Sequence, residues 1–156
     1  MNTTLAKHLI APILCCAVVD SGGAAAQQAS GPCTLLTVAQ VSAAVGASVG
    51  AGVPIGTTGC SWTAPNVITT VSLWDASRWE QMKAPLPGYV KTPAGGLGDD
   101  AFFSVLGSKG GSASFTTLSI RKGRTAYVVK VYSSLHAASE LMSMETTLGK
   151  EVLARL

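Results

Sequence analysis

Ser114-Phe115-Thr116-Thr117-Leu118-Ser119-Ile120-Arg121-Lys122-Gly123-Arg124-Thr125-Ala126-Tyr127-Val128-Val129-Lys130-Val131-Tyr132 is the stretch that decides the fold. Side chains on a strand alternate between two faces, so apolar residues two apart share one face. Leu118 and Ile120 share a face in the first half, and Tyr127, Val129 and Val131 share one in the second, with Arg124 and Lys130 opposite. Between them, Lys122-Gly123 has the length and the glycine of a two-residue hairpin connection. Two antiparallel strands follow, at 114–121 and 124–132, and their outward positions are polar enough to leave one sheet face uncovered.

Working outward, 101–106 is apolar except for Ser104 and reads as a third strand, joined to the hairpin by the turn 107–111. On the other side, Leu141, Leu148 and Val152 recur at spacings of seven and four, which predicts a helix over 135–154. Gly149 lies inside it, a position where a missing side chain permits either close packing on the sheet or a kink. Upstream, 85–98 is rich in proline and glycine and reads as a connection. Asp75 caps a predicted helix over 76–83, with Trp79 and Met82 placed to pack together. Two more strands are predicted at 60–64 and 67–74 around the turn Pro65-Asn66. The glycine-rich 46–59 reads as a loop or a weak ribbon.

The first helix, 37–46, has the sharpest local signature. Thr37 and Gln40 form a capping box, Leu36 and Val41 a hydrophobic staple, and Gly46 can end the helix. The expected fold is α+β: an antiparallel sheet of about five strands covered by helices, in the order αββαβββα.

The 156 residues, 47% hydrophobic and 12% charged with mean hydropathy +0.38, fit one domain and exclude a disordered chain. They are too few for a barrel enzyme. A net charge of +3 argues against a nucleic-acid binder.

The N-terminus reads as a signal peptide over 1–26. Lys7 and His8 precede an eleven-residue apolar run at 9–19, and Ala24-Ala25-Ala26 offers a cleavage site. That run is shorter than the about 20 residues that span a bilayer. A polar leader, 27–32, precedes a single domain over 33–156. The expected product is exported, periplasmic or secreted, and about 130 residues long. Lipidation at Cys16 is the competing outcome and the one route to a membrane. Cys33 and Cys60 remain after cleavage. In an oxidising compartment they read as a disulfide, contributing at most about 3.6 kcal/mol through loop closure. A metal pair and a reactive thiol are the alternatives, but zinc would need four ligands.

Several of these residues are similar to a known group. Cys33-Thr34-Leu35-Leu36-Thr37 before the capped helix, Cys60-Ser61-Trp62, Gly96-Leu97-Gly98-Asp99-Asp100-Ala101 and the basic-glycine turn Arg121-Lys122-Gly123 occur in this order. The set resembles small exported bacterial domains of unknown function, many of them actinobacterial lipoproteins, that open with C-x-L-L-T. The resemblance spans 33–156 and implies an exported α+β domain with a disulfide. It implies no catalytic residues. The chain departs from that group at Cys16, which follows Cys15 rather than a small residue.

No recognisable catalytic set accompanies this frame. Gly46-Ala47-Ser48-Val49-Gly50 matches a nucleophile elbow, but a helix precedes it where a strand is required. His136, with Ser133 and Ser134 nearby, is the sole histidine after 1–26 and reads as a solvent-exposed side chain. Asp99-Asp100 is too small a set for calcium and reads as a turn. No phosphate loop occurs, so neither a metal nor another cofactor is expected. Arg121, Lys122 and Arg124 form a basic hairpin tip, and Trp62, Trp74 and Trp79 are the residues to examine for a ligand groove. The expected function is a non-enzymatic exported domain binding a protein or envelope polymer. A carrier of small apolar ligands with a tryptophan-lined cavity is the alternative, and a serine hydrolase using Ser48 or His136 a more distant one.

Overall fold

The computed structural model describes residues 31–106 and 115–156. The expected signal peptide over 1–26, with Cys16, most of the expected leader 27–32 and the expected turn 107–111 lie outside the described residues.

Seven strands form one antiparallel sheet. β1 (Val53–Ile55), β2 (Gly59–Ala64) and β3 (Val67–Asp75) form a meander, as do β4 (Tyr89–Pro93), β5 (Asp100–Leu106), β6 (Thr116–Lys122) and β7 (Thr125–Ser133). The spatial order is β1-β2-β3-β7-β6-β5-β4, so β3 and β7 join the two meanders at the centre. The helices are α1 (Val38–Val45), a short α2 (Trp79–Lys83) entered through a 3-10 turn at Ala76–Arg78, and α3 (Ala138–Leu153).

The α+β class and antiparallel sheet agree with the sequence reading, but there are seven strands rather than about five. The order αββαβββα omits β1, inside the supposed loop 46–59, and β4, inside the supposed connection 85–98. Both are edge strands and both contain proline, Pro54 and Pro93, which has no N–H to donate to a ladder. The hairpin turn is also displaced by one residue. Lys122 pairs with Thr125, so the two-residue loop is Gly123-Arg124, with Gly123 at φ +57°. Glycine at the first of the two positions suits a II′ turn. The predicted helix 76–83 becomes a 3-10 turn followed by five α-helical residues, with Asp75 accepting from the Ser77 N–H at 2.7 Å.

One face of the sheet carries the main core. Trp62, Val71, Leu118, Ile120, Val129 and Val131 project from the strands and meet Val41 and Val45 of α1 and Leu141, Leu148 and Val152 of α3. The capping box forms as expected: the Gln40 N–H donates to Thr37 Oγ1 at 3.2 Å, and the Thr37 N–H donates to Gln40 Oε1 at 2.9 Å. Leu36 and Val41 are both buried, and Gly46 closes α1 at φ +67°. Gly149 is where α3 touches the sheet, because a Cβ there would lie 2.8 Å from Ile120 Cδ1. The Cys33–Cys60 disulfide ties the segment before α1 to β2.

Glu145 is buried in this core at 0% exposure, one turn after Leu141. Its Oε1 accepts from the Val131 N–H at 2.9 Å and from Thr116 Oγ1 at 3.1 Å, where the β6–β7 ladder has ended at Leu118 and Val129. Its Oε2 has no hydrogen-bond partner among the described residues. Burial pushes its pKa up to about 8, against the opposing effects of these hydrogen bonds and of Lys130.

Candidate functional site

The opposite face of the sheet is open and concave. The register stacks its side chains in transverse rows. Thr70 is opposite Lys130, Thr117 is opposite Ser104, and Ser104 is opposite Lys91. These residues make a polar row across five strands. A second row runs through Ser72, Val128, Ser119 and Phe102. An apolar row borders the first on its other side: Ile68 faces Tyr132, and Leu106 faces Tyr89.

The 3-10 turn and α2 lie over one end of this face. Trp79, only 1% exposed, packs on Phe102 with ring centroids 5.2 Å apart, and Met82 joins the same cluster. The Trp79 indole N–H donates to Asp100 Oδ2 at 2.9 Å. Asp100 also pairs with Lys83 at 2.9 Å, and the hydrogen bond from Lys83, followed by that from Trp79, holds its carboxyl below the usual range. Lys91 binds the roof from beneath, donating to the carbonyls of Met82 and, at 2.6 Å, of Ala84. The chain from α2 to β4 thus encloses a groove of about 490 Å³. That volume is within the about 300–1,000 Å³ of small-ligand sites.

The groove is aromatic and cationic. Phe102, Phe115, Tyr89 and Trp74 line it, as do Lys91, Lys130 and Arg78, and no Asp or Glu is among its lining residues. Arg78 lies over the Trp74 ring at 4.8 Å, and Lys130 Nζ over the Phe115 ring at 4.1 Å. Burial lowers the pKa of both lysines. Lys91 is satisfied by carbonyls, whereas Lys130 has no carboxylate within ion-pair distance among the described residues.

No protein-family model, curated protein or solved structure matches this chain. The site is therefore read from its own residues.

The residues singled out in the sequence fall in different places. Trp62 is in the helix-covered core, Trp79 is sealed beneath the roof, and Trp74 alone of the three lines the groove, at 39% exposure. The basic tip is not one patch. Arg121 is half-buried and lies over the Trp79 ring at 5.7 Å, while Lys122 pairs with Asp99 at 3.4 Å and Arg124 is exposed on the turn. Asp99 accepts from the Gly123 N–H at 2.7 Å, which, as the leading cause, lowers its pKa. The two aspartates thus hold different elements, and no cluster of metal-ligating side chains occurs among the described residues.

His136 is half-buried, not solvent-exposed as expected, with Nδ1 2.8 Å from Ser133 Oγ. Ser133 is 0% exposed and its Oγ also accepts from the Leu135 N–H at 3.1 Å, as in a turn that leads into a helix. Ser48 is exposed on the loop after α1. No helix among the described residues is long and apolar enough to cross a membrane. The disulfide is consistent with an oxidising, exported location.

The lysines and phenylalanines of the groove were not singled out in the sequence. The signal available was Lys130 and Ser119 on outward positions of the two best-defined strands, but β4, which completes the site, had no readable pattern.

Proposed function

We propose that the chain is an exported, non-enzymatic binding domain that holds a small ligand in the groove on the open sheet face. The observation that carries this reading is the groove itself: about 490 Å³ of concave surface, roofed by α2 and lined by aromatic rings, hydroxyls and half-buried cations. A sheet face built only to be solvated has no need of a roof anchored by a half-buried lysine. The non-enzymatic part of the proposal is supported by Ser133, which is sealed from solvent beside His136. This reading moves the functional surface from the hairpin tip to the groove, closer to the carrier alternative than to a docking module for a protein or envelope polymer.

Titration with the neutral fluorophore N-phenyl-1-naphthylamine tests it. The expected result is saturable enhancement of the dye by the wild-type protein, lost in Ser104→Trp, which fills the groove floor. No enhancement, or equal enhancement in the filled variant, would refute a groove site. Retention on an envelope-polymer column, abolished by Arg124→Glu but untouched by Ser104→Trp, would favour the hairpin tip instead.

A further inference from the structure

We infer that the groove takes a free, singly anionic amphiphile, with its acidic head at Lys130 and its apolar chain along the aromatic floor. This inference rests on the groove being the binding site. The charge pattern supplies the head. Among the described residues three cations and no carboxylate line the groove, but Arg78 is exposed to solvent over the Trp74 ring, and Lys91 is engaged by two backbone carbonyls. Lys130 has the Phe115 ring beneath its ammonium, and its acidic neighbour Glu145, whose pKa burial raises to about 8, is largely protonated at neutral pH and supplies little counter-charge. A half-buried ammonium without a counter-charge is a costly arrangement that an anion relieves. The hydroxyls of Thr70 and Thr117 flank Lys130 on the neighbouring strands, so an acidic head also finds donors beside the lysine.

The flanking rows supply the tail. Phe102 and Met82 lie on the roofed side, and Tyr89, Phe115 and Leu106 on the open side, with Leu106 still 38% exposed. Apolar surface on both sides of one cation matches a molecule with one charge and a hydrocarbon body. Lys130 stands on a central strand at the floor of a concavity, where a flat bilayer surface does not reach. The occupant is therefore a free molecule of this chemistry rather than a headgroup still in a membrane.

The test is a matched titration of the intact mature protein with dodecanoate, dodecanol and dodecyltrimethylammonium, all below micelle formation, followed by calorimetry and by tryptophan fluorescence. Dodecanoate is expected to bind about tenfold more tightly than dodecanol, as one charge-assisted hydrogen bond implies. Lys130→Gln should abolish that preference, and Lys130→Arg should restore it. Circular dichroism of each variant confirms the fold. Equal binding of dodecanoate and dodecanol to the wild type would overturn the anionic head but leave the groove standing as a site. Failure of all three ligands to bind would overturn the groove reading and this inference together. Retention on phosphatidylglycerol vesicles with no binding of monomeric dodecanoate would overturn the free amphiphile.

Discussion

The two faces of this sheet share the same strands but differ in how they are finished. On the α3 face, side chains from five strands interlock with two helices, and many are fully buried. On the other face, a three-residue cluster of Trp79, Phe102 and Ala126 seals one end, and the rest remains open around lysines and hydroxyls. The difference teaches a division of labour within one sheet: packing density holds the fold together on one side, and incomplete packing leaves room for a ligand on the other.

The largest expected effect belongs to the packed face. Trp62→Ala should cost about 3–5 kcal/mol, because it empties the site of a buried indole in a core that collapses only partly. Urea unfolding measures it directly. A loss similar to that of a groove substitution would abolish the contrast between the faces.

Glu145 sharpens the comparison, because it is the one acid on the packed side that breaks the apolar rule. Its pKa is raised from 4.5 to about 8. Below 4.5 the folded and unfolded states both hold the proton. Between the two values only the folded state keeps it, so stability falls as pH rises, by at most about 1.4 kcal/mol per unit. Above about 8 both states are ionised and the decline stops. Glu145→Gln keeps an acceptor for the Val131 N–H and has no proton to lose. Its stability should be nearly flat from pH 5 to 8, so the wild type should lose ground to it steadily as pH rises across that range. Urea midpoints at three pH values decide this, and a flat wild-type profile would refute a buried neutral acid.

The smallest effect is expected on the open face. Ser72→Ala, in the groove lining, should change stability by no more than about 0.5 kcal/mol. A larger loss in the same unfolding series would mean that the groove is part of the load-carrying core.

What could be read from the sequence follows the range of the interactions involved. The capping box at Thr37 and Gln40 is closed by residues three apart, so its chemistry is visible locally. The central hairpin shows because β6 and β7 each bury one face and alternate cleanly. β1 and β4 were hidden because an edge strand is shaped by its single neighbour, and Pro54 and Pro93 read as loop residues. Glu145 lies in the gap of the 141, 148, 152 pattern, four residues after Leu141 and three before Leu148. That gap shows the acid faces the core, but nothing in the sequence places the Val131 N–H opposite it. The groove was least legible of all. Its floor combines β3 with β7 and β4 with β5, pairings that only the register brings together. The tryptophans, conspicuous by type, proved to be on three different surfaces.

The prolines of the edge strands also bear on how the molecule behaves in numbers. β1 exposes Val53 and Ile55, and β4 exposes Val90 at 59%. Apolar borders of this kind would recruit a second copy strand by strand, were it not that Pro54 and Pro93 each remove a donor from the row a neighbour would need. The sheet is thus a closed unit at both margins. Crowding many copies together should concentrate the protein without fusing it into fibrils.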